Sequence, residues 1–118
     1  MAQAPVFTVN AFPYGVDNTQ HQEIVYGLLT FTGSGGYTTG GLPVTWKFLN
    51  QDGSTFYPQT SSTTPFLVYF QPQDTGLVSY QYNKAGGTLF ATTAGAQVAS
   101  GTTLSGVVAF EAHFARSL

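Results

Sequence analysis

The chain has no cysteine, one methionine and one tryptophan, and among its 118 residues only three are cationic and five are carboxylates. Without cysteine there is no disulfide framework, no thiolate metal site and no thiol nucleophile, a composition that suits a reducing compartment. Three cations that do not cluster cannot neutralise a run of phosphates. A formal net charge of −2 therefore gives no electrostatic footprint for nucleic acid. No apolar run approaches the ~20 residues of a membrane-spanning helix. The opening MAQAPVFTVN lacks the positive flank and long apolar segment of a signal peptide, so export by the general pathway is not expected.

The scarcity of charge is itself informative. Asp17, Glu23, Lys47, Asp52, Asp74, Lys84, Glu111 and Arg116 make up the 7% that is charged, whereas soluble surfaces are designed at about 25–35%. A folded chain of this mass exposes on the order of 6,200 Å², or roughly one charge per 775 Å². Polarity comes instead from 17 threonines, 8 serines and the amide side chains. Such groups avoid the desolvation cost that keeps ions out of interface centres, so the composition predicts a surface largely covered by other subunits. The alternative is an ordinary Thr-rich surface on a small extracellular or viral β-domain.

What is present is apolar and β-forming: 42% hydrophobic residues, with ten Phe and seven Tyr. A single domain of this length buries roughly two-thirds of its unfolded surface. Short β-branched and aromatic runs alternate with Gly, Pro, Asn and Asp. They predict strands over 23–32, 42–49, 65–71, 77–83, 88–93 and 107–114, with a further short one at STFY (54–57), while VFTVN (6–10) is either a first strand or an ordered arm. In the last long run Val108, Phe110, Ala112 and Phe114 share one face; in 42–49 Val44, Trp46 and Phe48 do; in 77–83 Val78, Tyr80 and Tyr82 do. NQDG and NKAGG supply turn chemistry. The expected fold is all-β: an antiparallel β-sandwich, jelly-roll-like, of seven or eight strands. Residues 1–20 are expected as an extended N-terminal arm and 21–118 as one domain. Several strands are apolar on both faces, more than a two-layer sandwich buries, which again points to subunit contacts.

The glycine-rich stretch GSGGYTTGGLPV (33–44) is not a phosphate loop. It has no Lys-Ser/Thr pair and leads through Leu42-Pro43-Val44 into a strand, not a helix. Gly35, Gly36, Gly40 and Gly41 are expected to provide tight or positive-φ geometry, with Tyr37 either displayed or tucked over a sheet end. Glu111 and His113 stand two apart on a strand and so point to one side. They could orient an imidazole as a base, yet no serine lies in a nucleophile-elbow sequence, and a hydrogen-bonded structural pair is the expectation. His21 and Glu23 repeat the spacing, and the four together could in principle hold a metal; no metal or cofactor is expected. Asp17, Asp52 and Asp74 are placed in loops or turns, with no pairing of the kind a glycosidase needs. Trp46, Tyr57, Tyr80 and Tyr82 are the candidates for stacking on sugars, core or subunit packing being the commoner use of such rings.

GGYTTGGLPV followed by YQYNKAGGTLFATTAGAQVASGTTLSGVVAFEAHF resembles the small head decoration, or cement, proteins of tailed bacteriophages. The likeness runs from Gly35 to Phe114. It lies in the order of a Tyr/Thr-Gly-Gly loop, a Tyr-x-Tyr strand, a glycine hairpin and a closing LSG…F strand. The resemblance implies a non-enzymatic protein made in the host cytoplasm and carried on the capsid exterior. There it would bridge major capsid subunits and associate with itself as a homotrimer or homodimer, with no nucleic acid or membrane partner. Binding only the assembled shell would stabilise that shell by mass action. Val6 and Phe7 of the arm, Tyr37 of the loop and Trp46 are the expected interface residues. A tail or baseplate component, or a carbohydrate-binding sandwich on a virion surface, are the alternatives.

Overall fold

A computed structural model describes residues 3–10, 15–19, 21–58, 64–73 and 78–115. Among these there is no helix, and so none long and apolar enough to cross a membrane. Eleven strands among the described residues form two sheets: β1 (Ala4–Val9), β2 (Val16–Asn18), β3 (Gln22–Thr32), β4 (Leu42–Pro43), β5 (Phe48–Leu49), β6 (Thr55–Phe56), β7 (Leu67–Pro72), β8 (Ser79–Asn83), β9 (Thr88–Thr93), β10 (Ala96–Gln97) and β11 (Val108–Ala115). The larger sheet has the order β6-β5-β1-β3-β11-β7, with β2 also on β3. The smaller has β10-β9-β4, with β8 also on β9. All pairings are antiparallel except β1 with β5. The arrangement is compatible with a β-sandwich.

The alternation expected of the last strand holds: Val108, Phe110, Ala112 and Phe114 are all buried. They meet Val25 and Leu29 of β3, Phe7 and Val9 of β1, and Leu89 from the smaller sheet in one core. Phe48 is its hub. Its ring stacks on Phe110 at 5.9 Å and 9°, and meets Phe7, Trp46, Phe56 and Phe114 at 5.4–6.3 Å.

The run 6–10, readable as a first strand or as an ordered arm, is a strand: Ala4–Val9 lies in the interior of the sheet between β3 and β5, with Phe7 and Val9 facing the core. Its partners are distant in sequence, so nothing local distinguishes it from an arm. The run 42–49 is not one strand: Leu42–Pro43 belongs to the smaller sheet and Phe48–Leu49 to the larger. Residues 44–47 carry the chain across, and Trp46 fills the crossing, 4.6 Å from Phe7 and 5.1 Å from Tyr82. Among the described residues the strands number eleven, because 42–49 divides into two and the short strands Val16–Asn18 and Ala96–Gln97 add to the eight expected runs. β1 and β2 are themselves two pieces along one edge of β3. The Asn10 N–H donates to the Tyr26 carbonyl (3.0 Å), and the Tyr26 N–H donates to Gly15 (2.8 Å).

A second cluster, Tyr37, Leu42, Ala91 and Leu104, lies beneath the glycine loop. Tyr37 is tucked in, not displayed. Its hydroxyl donates to Gln97 Oε1 (2.6 Å), its N–H to Thr102 (2.7 Å), and its carbonyl accepts from Gly101 (2.7 Å). Gly36, at φ 76°, lies against the backbone of Gly101, where a Cβ would collide. Of the loop glycines expected to need positive φ, Gly36, Gly40 and Gly41 do; Gly33 joins them and Gly35 does not. Gln3 closes the same end. Its side-chain amide donates to the Leu104 carbonyl (2.9 Å) and accepts from the Leu104 N–H (2.7 Å), as a neighbouring strand would.

Gly27, opposite Val9 and Phe110, is where β1 crosses closest: a Cβ there would run into the Thr8 carbonyl and the Phe110 ring. Gly27→Ala should cost about 3 kcal/mol, as overpacking against backbone does, read from urea midpoints; a loss below about 0.5 kcal/mol would refute the close approach. Trp46 Nε1 is buried with no acceptor among the described residues. Trp46→Phe removes that donor along with some packing, effects of opposite sign, so it should shift stability by about 1 kcal/mol or less. Trp46→Ala should cost about 3–5 kcal/mol.

Candidate functional site

Strand pairing places three outward-facing residues in one row across the larger sheet. Tyr26 of β3 lies opposite Glu111 of β11, and Glu111 opposite Tyr69 of β7. The next row is Leu28, Ala109 and Gln71; the previous one is Ile24, His113 and Leu67. Residues directly opposite on one face stand about 4.5–5.5 Å apart at Cβ. The small Ala109 between longer neighbours leaves a depression. Its volume is about 610 Å³, and Asn10, Tyr26, Tyr69, Gln71, Ala109 and Glu111 line it, with backbone from Gly27, Phe70 and Phe110. That volume is within the ~300–1,000 Å³ of small-molecule sites.

The Glu111–His113 pair forms as its spacing predicts. Glu111 Oε2 lies 2.6 Å from His113 Nε2, and His113 Nδ1 lies 3.1 Å from Gln22 Oε1. The imidazole is mostly covered, while the Glu111 side chain keeps 35% of its surface exposed. The rings of Phe66 and Tyr69 approach the imidazole edge-on at 5.9 and 6.1 Å. Both imidazole nitrogens thus have a side-chain partner, which fixes the plane of the ring.

Tyr26 is the titrating group that this site shifts most clearly. Partial burial raises its phenol above the ordinary value near 10, and the Glu111 and Asp17 carboxylates add to the rise. Its hydroxyl therefore stays a hydrogen-bond donor well into alkaline solution, between two negative neighbours.

The other sequence candidates fall elsewhere. Glu23 faces the core side of β3, opposite Phe114, whereas Glu111 and His113 face outward. The two His-Glu sets are thus split between faces, and among the described residues no group of three metal-ligating side chains assembles. Asp52 holds its turn by accepting from the Ser54 N–H (2.9 Å) and hydroxyl (2.6 Å), bonds that lower its pKa. Asp17 lies in β2, opposite Ile24, instead of in a loop, and Asp74 is outside the described residues. Phe7, Tyr37 and Trp46, at 1%, 1% and 5% exposure, are committed to the chain's own interior. Val6 is half-buried, opposite Thr30. Of the rings proposed to stack on sugars, Trp46, Tyr80 and Tyr82 pack in or against the core, and Tyr57 is exposed beneath the Lys47 ammonium.

The residues that do line the depression, Tyr26 and Tyr69, carry no motif. Only the alternation of 65–71, apolar on both faces, signals that one of its rings must point outward. Comparison with known protein families, with curated proteins and with solved structures finds no match for this chain.

Because the folded pKa of Tyr26 lies above the unfolded one, the stability linked to it is complete below about pH 10 and lost as pH rises through the folded value. Glu111→Gln should bring the Tyr26 titration, followed by NMR of ring-labelled tyrosine, part of the way back toward the ordinary value. An unchanged titration would remove Glu111 as a cause.

Proposed function

We propose that the chain is a non-enzymatic decoration protein of a bacteriophage head. In this reading it is a sandwich of jelly-roll kind that binds the outside of the assembled shell, bridges major capsid subunits and self-associates as a trimer or dimer. The observation that carries this reading is the uncharged outer face of the four-stranded sheet. Ser79 pairs with Thr92, Gln81 with Phe90 and Asn83 with Thr88, and none of the six is charged. Beside them Gly41 has no side chain, and Thr88 and Phe90 stand where its Cβ would be.

Such a wall loses its water at little cost compared with an ionic one, and its hydroxyls and amides can bridge through trapped water. Those properties suit a broad contact repeated many times over a shell. The order of turn and strand motifs described above supports the same reading.

Light scattering behind a sizing column should give a trimer or dimer. The double variant Gln81→Glu, Phe90→Lys should melt as the parent does, yet lose self-association and cosedimentation with isolated heads. A monomeric parent whose cosedimentation the double variant leaves intact would reject the proposal.

A further inference from the structure

The depression on the other face of the molecule has a chemistry of its own. We propose that it is a binding site for a neutral saccharide of two or three units, held by Tyr69, Gln71, Glu111, Tyr26 and Asn10. This goes beyond the capsid reading and does not rest on it, because the two surfaces belong to different sheets.

Each wall offers what a sugar uses. Tyr69 is 56% exposed, an uncommon state for so large a ring on a sheet with a complete core, and it presents an aromatic face on which the C–H side of a pyranose can lie. Tyr26 and Tyr69 stand on either side of Glu111 in a single row. Sugar hydroxyls both donate and accept, and the lining supplies both roles: carboxylate acceptors from Glu111, a donor from the Tyr26 hydroxyl, and amides from Gln71 and Asn10. The floor at Ala109 leaves room for a ring to descend.

The same groups are oriented before any ligand arrives, which lowers the ordering cost of binding. Glu111 is fixed through Oε2 by His113, and His113 by Gln22. Its second carboxylate oxygen has no partner among the described residues. Both backbone polar groups of Tyr26 are engaged along one edge of β3, the carbonyl by Asn10 and the N–H by Gly15.

The charge pattern selects among ligand classes. Among the described residues no Lys or Arg lines the depression, and the two carboxylates acting on Tyr26 repel phosphate, sulfate and acidic sugars. An organic ammonium would be attracted by the carboxylates, yet it would leave much of the lining unused. The amides of Gln71 and Asn10 would also have nothing to bond on a quaternary ammonium. A neutral polyhydroxyl ligand uses the whole lining.

Saturation-transfer NMR and calorimetry with neutral di- to tetrasaccharides of glucose, galactose, mannose, rhamnose and N-acetylglucosamine, and with choline as the cationic control, test this. At least one saccharide should bind, with contacts mapped to the Tyr69 ring. Tyr69→Ala and Gln71→Ala, both at exposed positions, should each weaken it roughly tenfold or more, equivalent to about 1.4 kcal/mol, with unchanged melting. Ala109→Leu should fill the floor and abolish binding. The variant Gln81→Glu, Phe90→Lys should bind as the parent does, which separates this site from the capsid-facing proposal. Absence of binding by every saccharide at 10 mM (about 10,000-fold above a 1 μM midpoint), binding of choline alone, or undiminished binding by Tyr69→Ala would each overturn the proposal.

Discussion

Phe48 belongs to a strand of two residues, yet its ring touches five others, drawn from β1, the crossing at Trp46, β6 and β11. Burying one such side chain is worth about 1.5–3 kcal/mol, and each well-placed ring pair adds about 0.5–1.5 kcal/mol. Convergence matters more than the sum. Phe7 and Phe110 can both reach Phe48 only if β1 and β11 hold one register against β3. A slip of one residue would send their whole apolar set outward. The aromatic hub thereby also decides which side chains face solvent, and so places Tyr26, Glu111 and Tyr69 in one outward row.

The two outer faces divide the chain's few polar resources. The smaller sheet presents hydroxyls, amides and Phe90 with no charge in its paired rows. The larger sheet presents Asp17, Glu111 and His113 beside exposed Leu28, Leu67 and Tyr69. With so little charge in the chain, the two carboxylates Asp17 and Glu111 are enough to make that face chemically distinct. They also give Tyr26 a negative setting that its burial alone would not create.

The third structural device is the closed end formed by Gln3, Tyr37, Gln97 and Leu104. Gln3 and Leu104 stand 101 residues apart, yet exchange two hydrogen bonds as neighbouring strands do. A buried amide needs such partners, and here one side chain ties the start of the chain to the loop before β11. The glycine loop serves this end: Gly36 allows the backbone approach, and Tyr37 carries the bonds.

Much was legible where information is local. The alternation of 107–114, the hairpin at NKAGG, the turn at Asp52 and the shared side of Glu111 and His113 all depend on residues a few positions apart, and each formed as its pattern implies. The interior position of Ala4–Val9, the crossing within 42–49 and the meeting of Tyr26 with Tyr69 were not legible. Each depends on which strand lies beside which, and apolar strands of similar length can pair with one another in many orders. The sequence by itself determined an all-β chain with neutral polar turns and a surplus of aromatic faces, because period-two patterning and turn residues act within a few positions. Tertiary structure alone decided the sheet order, the burial of Phe7, Tyr37 and Trp46, and the depression over Ala109. Those follow from cross-strand contacts between distant segments, whose energies no single segment carries.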